Sequence, residues 1–424
     1  MKKSIFLSVT LFVLAIFIAF SGNFALAAKP IVIGVPTSLG FLEGKESLKA
    51  VEMAVDEINA KGGVMVGTVK RPFKIESIDI RDAAPGVPVP EALLGIEKII
   101  LEKKPVAIVV GPFRSEALLA GMDIIAKYKV PMLGTIAMTP GTEAKIKKEP
   151  EKYKYIFRVS MNVIYWARLL AGTMGSLKQQ FGFDNVYLMN QDVAWARGTA
   201  GAMKGILGKA GWAVLGHDQY PTGSSDFSSA LMKAKSKGAG VLFTCFDMPE
   251  SGVLVKQWKS MKVPALIAGF ISPMAGEVAW KTFDGKIGGL MNAIFEIGNM
   301  PSAKYAPAKR FYDAYKKKYG KGIQSGHGPA PSYETVYILK EAIERAGSLE
   351  ADAIVAAIEK TDRVGAIGRI KFDEGHQVIY GTDPAQTATG CFFQWTKDGK
   401  RKIVYPKSLA EGEIVLPAWV KKVK

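Results

Sequence analysis

The loop Gly111-Pro112-Phe113-Arg114-Ser115-Glu116 follows an apolar run and opens into a helical pattern. There the Ser115 hydroxyl and the free backbone N–H groups of the first turn form a site for an anion, helped by the helix dipole. An ordinary serine cap would explain the same residues in isolation. The ligand reading is favoured by the next loop, Thr135-Ile136-Ala137-Met138-Thr139-Pro140, which should reach the same edge of a parallel sheet. Arg114 either adds a direct charge or points to solvent, and ranks below Ser115 for that reason.

Patterns for catalysis are missing. Residues Gly40 to Ser47 occupy the place of a phosphate loop, but the glycine spacing is one residue short and Glu46 stands where a Ser or Thr should hold magnesium. Neither a dinucleotide fingerprint nor a nucleophile elbow is present, and no Cys has a His at a recognisable spacing. His217, His327 and His376 lie far apart, and Cys245 and Cys391 stand in apolar strand-like runs. Two free buried thiols are favoured over one disulfide. The expectation is no catalysis, no cofactor and no metal.

The elements that must position these loops repeat one unit. Ile31 to Pro36 has the signal of a strand, and after a turn at Gly40 the residues Leu48, Val51, Val55 and Ile58 recur on one helix face. Gly62-Gly63 stops that helix. Strand signals at 73–80, 106–110 and 130–134 alternate with helices at 91–103 and 117–128, the latter with Ser115 placed as its cap. A second set opens at the extended segment Tyr155 to Val159. Helix 162–180 and strands at 186–189, 213–219, 240–246 and 264–269 come next, with the loop Gln191 to Trp195 after the first of these strands. The chain is again extended at 287–297, and helices near 303–319, 331–346 and 350–360 come after it. Such alternation builds doubly wound parallel sheets, here two α/β lobes joined by several crossovers and able to close on a ligand.

The 424 residues carry a formal charge of +17. Lys2-Lys3, the apolar run Ile5 to Phe20 and the small residues Ala25-Leu26-Ala27 read as a signal peptide cleaved near Ala27. The run is short for a membrane span, and no Cys near the cleavage point suggests a lipid anchor. Loss of those two lysines leaves +15 on the mature chain. Lys145 to Lys148 and Lys316 to Lys318 form the densest runs, without interleaved base-stacking motifs, so solvated surface is favoured over a nucleic-acid site.

The stretch Val55-Asp56-Glu57-Ile58-Asn59-Ala60-Lys61-Gly62-Gly63-Val64 resembles the exported solute-binding proteins of branched-chain-amino-acid-type ABC transporters. The resemblance continues in Val110 to Ser115, Tyr155 to Arg158, Asp226-Phe227-Ser228, Phe392 to Trp395, Val404-Tyr405-Pro406 and Leu416 to Trp419, and spans essentially the whole mature chain. It implies the type I periplasmic binding protein fold: two Rossmann-like lobes, three crossovers and a ligand cleft between the lobes. After a signal peptide at 1–27, residues 28–155 would start lobe 1, 156–284 lobe 2, 285–380 would return to lobe 1 and 381–424 to lobe 2. It further implies a monomeric periplasmic protein delivering a small carboxylate to membrane permease subunits driven by cytoplasmic ATPases. By resemblance the carboxylate is held by Ser115 and by the backbone around Ala137 and Thr139, and Trp195 covers the ligand. Two departures stand out. Phe270-Ile271-Ser272 replaces the acid expected for a ligand ammonium, and Asp247 replaces a second cleft aromatic. If Asp247 takes over the ammonium, the ligand is an amino acid. If it points away, Phe41, Trp195 and Phe270 leave an apolar pocket for an amine-free aromatic or branched acid, the ligand favoured on sequence alone. A ligand sensor of the same fold, handing its signal to a receptor, is the alternative, with an exported α/β enzyme disfavoured.

Overall fold

The computed structural model describes residues 29–423, so the leader expected at 1–27 lies outside the described residues. The first sheet is wholly parallel, in the order Phe73–Asp79 (β2), Ile31–Thr37 (β1), Ala107–Val110 (β3), Met132–Gly134 (β4) and Ile156–Arg158 (β5). Its central strand β3 reads Ala-Ile-Val-Val and is buried throughout, as a strand covered by helices on both faces must be. Leu42–Ala60 (α1), Val89–Lys103 (α2) and Ser115–Tyr128 (α3) follow β1, β2 and β3. The second sheet, also parallel, runs Leu266–Ile271 (β9), Val241–Phe246 (β8), Asn185–Gln191 (β6) and Ala213–Tyr220 (β7). Val163–Phe181 (α4) leads into β6 and Ala194–Lys209 (α5) leaves it. Asn162 caps α4 by accepting a hydrogen bond from the Tyr165 N–H.

Two extended segments join different sheets from those expected. Tyr155 to Val159 does not open the second set; its core is β5, which pairs with β4 as the edge of the first sheet. Ile156 and Phe157 complete the buried face there, and the Arg158 guanidinium is held by the Thr139 carbonyl at 2.7 Å and by Glu143. The first crossing therefore comes after Arg158. Similarly, Met291–Ile294 (β10) belongs with the second lobe, where it pairs with Cys391–Trp395 (β11), which in turn pairs with Arg401–Tyr405 (β12). The Asn292 side chain ties β10 to β9 by accepting from Ile271 N at 2.8 Å and donating to Ile271 O at 3.2 Å. An extended pattern reports a buried strand, not which sheet receives it.

The chain passes between the lobes three times: after β5, after β10 and before β11. Glu296 fastens the first two crossings. Fully buried, it accepts from Met161 N, Asn299 Nδ2 and Gly328 N, while the helix Pro329–Ala346 (α6) beyond it returns to pack on α1. Both cysteines are buried and free.

Gly269 lets β9 approach β8: a Cβ there would lie 2.1 Å from the Thr244 carbonyl oxygen. Gly269→Ala should push the two strands apart and destabilise the protein by about 3 kcal/mol, read as a lowered urea midpoint at unchanged m-value.

Candidate ligand-binding site

Four loops, the first turn of α1, the end of β9 and one crossover meet between the lobes around a small cavity of about 20 Å³. From the first lobe come Glu43, Phe113, Ile136 and Met138; from the second, Trp195, Asp247 and Phe270; from the crossovers, Phe295 and His327. Apolar walls with a few polar groups are the usual composition of a small-molecule site. Phe270 and Phe295 meet edge to face at 4.7 Å, and Trp195 closes the cluster at 6.3 Å from each.

Local backbone geometry aims the first-lobe tip. Val110 sits at φ +70° in a tight turn closed by Gly111 N donating to Val109 O at 2.9 Å, a strained conformation for a β-branched residue. The turn reverses the chain at the end of β3, and Asp82 pins the loop beyond it: the carboxylate accepts from Arg114 N at 2.7 Å and from the Ser38 hydroxyl at 2.8 Å. Gly44 allows α1 to start against the loop after β1, since a Cβ there would meet Ser38 O at 2.1 Å. Close packing, not phosphate, explains that glycine.

Several expected site residues take other places. Arg114 does not point to solvent: it is buried and donates to Asp247 from Nη1 at 2.5 Å and Nη2 at 3.1 Å, across the gap between lobes. Asp247 also accepts from Trp195 Nε1 at 2.7 Å, so Trp195, Asp247 and Arg114 form one group. Asp247 is thereby neutralised before any ligand arrives, and is not a free acid for an ammonium. Ser115 is the first residue of α3 rather than its cap. Arg114 holds the extended cap conformation, and the Ser115 hydroxyl is buried without a partner. Phe41 backs the wall instead of forming it, packing on Phe113 at 5.5 Å beneath the Arg114 guanidinium. Along the loop after β4, Ile136 and Met138 reach the cavity and Ala137 between them does not, because residues two apart share a side of an extended chain. Thr139 lies beyond it, its carbonyl engaged by Arg158. Phe270 and Trp195 line the cavity as expected.

Sequence reasoning missed Glu43, Phe113, Phe295 and His327. The helix pattern carries no signal for Glu43, which faces inward only because α1 begins against the second lobe. Ser272, standing where the resemblance implied an acid, donates its hydroxyl to Glu43.

A model of the family described as periplasmic binding protein matches residues 32–400. The chain belongs to this family. Among its relatives is the Leu/Ile/Val-binding protein homolog 7 of Brucella suis, 26% identical over 395 residues that cover 89% of this chain and 90% of that one. The fold is shared with the branched-chain amino acid transporter substrate-binding protein LivJ of Streptococcus pneumoniae, solved with isoleucine. There the TM-score is 0.71 at 22% identity, covering 89% of this chain and 100% of that one. The leucine-binding protein LivK of Thermotoga maritima gives 0.71 at 20% identity, with coverages of 88% and 98%.

The charges of this periplasmic binding protein's cavity are mostly matched within the protein. Burial alone would push the His327 imidazole down, but the Glu296 carboxylate at 3.0 Å and the Ile136 carbonyl at 2.7 Å from its Nε2 hold it above its ordinary value. Glu43 differs. Burial raises it from 4.5 to about 7 against the opposing pull of Ser272, and its Oε2 has no hydrogen-bond partner. Among the described residues no group of His, Cys, Asp and Glu could hold a metal.

Both acids of the cavity wall have measurable consequences. The native Glu43 carboxyl keeps its proton up to about pH 7, whereas the unfolded chain releases it near 4.5. Native protein therefore binds more protons in that window, and its stability falls as pH rises, by about 3 kcal/mol, then levels off. Glu43→Gln should remove this component of the pH–stability curve measured by urea titration without ligand. Arg114→Ala would leave Asp247 buried without a counter-charge, a penalty of about 3–5 kcal/mol that parting lobes can relieve by hydration. Small-angle scattering should show Arg114→Ala contracting less than wild type when ligand is added.

Proposed function

We propose that this protein is the extracytoplasmic solute-binding component of an ABC importer and captures a small carboxylate with an apolar body between its lobes. The observation that carries the reading is the aromatic-walled cavity at the meeting of the two lobes, in a chain of the periplasmic binding protein family. Isoleucine in the S. pneumoniae relative is a guide to ligand size. The partner is a pair of membrane permease subunits with cytoplasmic ATPases, and the protein works as a monomer in the periplasm, binding without turnover.

The buried, unpartnered Ser115 hydroxyl at the start of α3 supports its role as a donor to the ligand carboxylate, with the N–H groups of that helix beside it. Ala137 contributes through the loop backbone, Thr139 holds that loop through its carbonyl to Arg158, and Trp195 and Phe270 cover the apolar body. A hydrogen bond to a charged group contributes about 1.5–3 kcal/mol, so Ser115→Ala should weaken binding roughly tenfold or more. The experiment pairs calorimetry with small-angle scattering. A bound carboxylate should shrink the radius of gyration, and an unchanged scattering profile at saturation would count against a closing cleft.

A further inference from the structure

Of the two wall acids, Asp247 is hydrogen-bonded to a cation of the protein and Glu43 is not. Asp247 is bound by Arg114 and Trp195, and the buried imidazole of His327 is matched by Glu296. Glu43, in the first turn of α1, is 2% exposed. One oxygen accepts from Ser272 of the opposite lobe and the other, Oε2, has no partner. Buried polar atoms in folded proteins nearly all find one, so an orphaned carboxyl oxygen in a cavity wall marks the place of a donor on the guest. Within walls that exclude water, the donor that best matches an acid without a hydrogen-bonded counter-ion is a cation.

We propose that Glu43 is the specificity-determining acid of this cavity and that the ligand carries an ammonium group which donates to Glu43 Oε2. This deepens the function proposed above and rests on the ligand occupying this cavity. It reverses the preference for an amine-free acid, which allowed only Asp247 as an ammonium partner. Glu43 comes instead from the first lobe, and its bond to Ser272 means that the acid is complete only when the lobes are closed. Binding is then linked to a proton. In the closed cavity burial holds the carboxyl protonated up to about pH 7, and an ammonium must displace that proton. Affinity should thus fall about tenfold per pH unit below neutrality and level off above it. The other groups facing the cavity, Asp247 with Arg114 and His327 with Glu296, remain in the Glu43→Gln variant, so a slope due to them would persist there.

Calorimetry on the mature chain between about pH 5.5 and about 8 tests this. It uses two sets of probes: L-leucine, 4-methylpentanoate and 3-methylbutylamine; and L-phenylalanine, 3-phenylpropanoate and 2-phenylethylamine. Expected is an amino acid bound about a hundredfold more tightly than its deaminated acid, with Glu43→Gln removing both that advantage and the pH slope. Ser272→Ala, which frees Oε1 without removing the acid, should retain the preference, and thermal unfolding verifies that each variant is folded. A deaminated acid bound as tightly as its amino acid, or a preference that survives Glu43→Gln, overturns the role of Glu43 and leaves the carboxylate importer standing. An amine bound as tightly as its amino acid supports Glu43 and overturns the carboxylate instead. Binding of none of the six overturns both.

Discussion

A buried ion pair spans the gap between the lobes, and the site depends on it. Arg114 and Asp247 meet through two hydrogen bonds with both side chains almost fully excluded from solvent. Desolvating two such charges offsets much of their attraction, so the pair adds little net stability when intact and is strongly destabilising when half of it is missing. Its geometry makes the contact between the lobes all-or-none: a loosened pair would leave both charges stripped of water without completing either bond. Trp195 joins the pair through its indole N–H, which couples the aromatic wall to the same event. Beyond Arg114 lies an outer groove bordered by Asp82, Glu116, Val193 and Thr222, so the guanidinium stands between the inner cavity and the cleft mouth.

The crossovers meet at a second set of buried charges. Glu296 gathers the N–H groups of Met161 and Gly328 together with the Asn299 amide, and its contact with His327 extends that network to the carbonyl of Ile136 in the cavity wall. A carboxylate with several donors is a satisfied buried charge. The first two crossovers are thus tied to each other and to the Ile136 carbonyl in the cavity wall. Phe295, beside Glu296, carries the same constraint into the aromatic cluster through Phe270 and Trp195.

Discrimination in such a cavity falls to very few atoms. Phe113, Ile136, Met138, Phe270 and Phe295 select for size and apolar surface, a graded preference worth little per methylene. Polar groups already paired within the protein, Asp247 and His327 among them, resist unsuitable guests more than they attract suitable ones. Among the lining residues Glu43 keeps an oxygen without a hydrogen-bond partner within the protein, and a buried polar atom left unsatisfied is costly.

The sequence by itself determined the α/β class and the alternation of strand and helix, because buried strands such as Ala107–Val110 and one-faced helices such as Leu42–Ala60 impose their periods on neighbouring residues. It also determined that the loops after β3 and β4 share one edge of the first sheet, since parallel sheets present such loops at one edge; that loops of the second lobe face them across a cleft was implied by the family resemblance. Tertiary structure decided which residues of those loops meet. Ile156–Arg158 and Met291–Ile294 are extended in either lobe, and only pairing with β4 and β11 assigns them. Arg114 is a surface-type side chain until Asp247 arrives from 133 residues away. Glu43 looks like any first-turn acid of a helix until Ser272 of the other lobe closes over it. Periodicity is a local property carried by a few turns of chain. Charge pairing and burial across a cleft depend on distances that no local pattern contains.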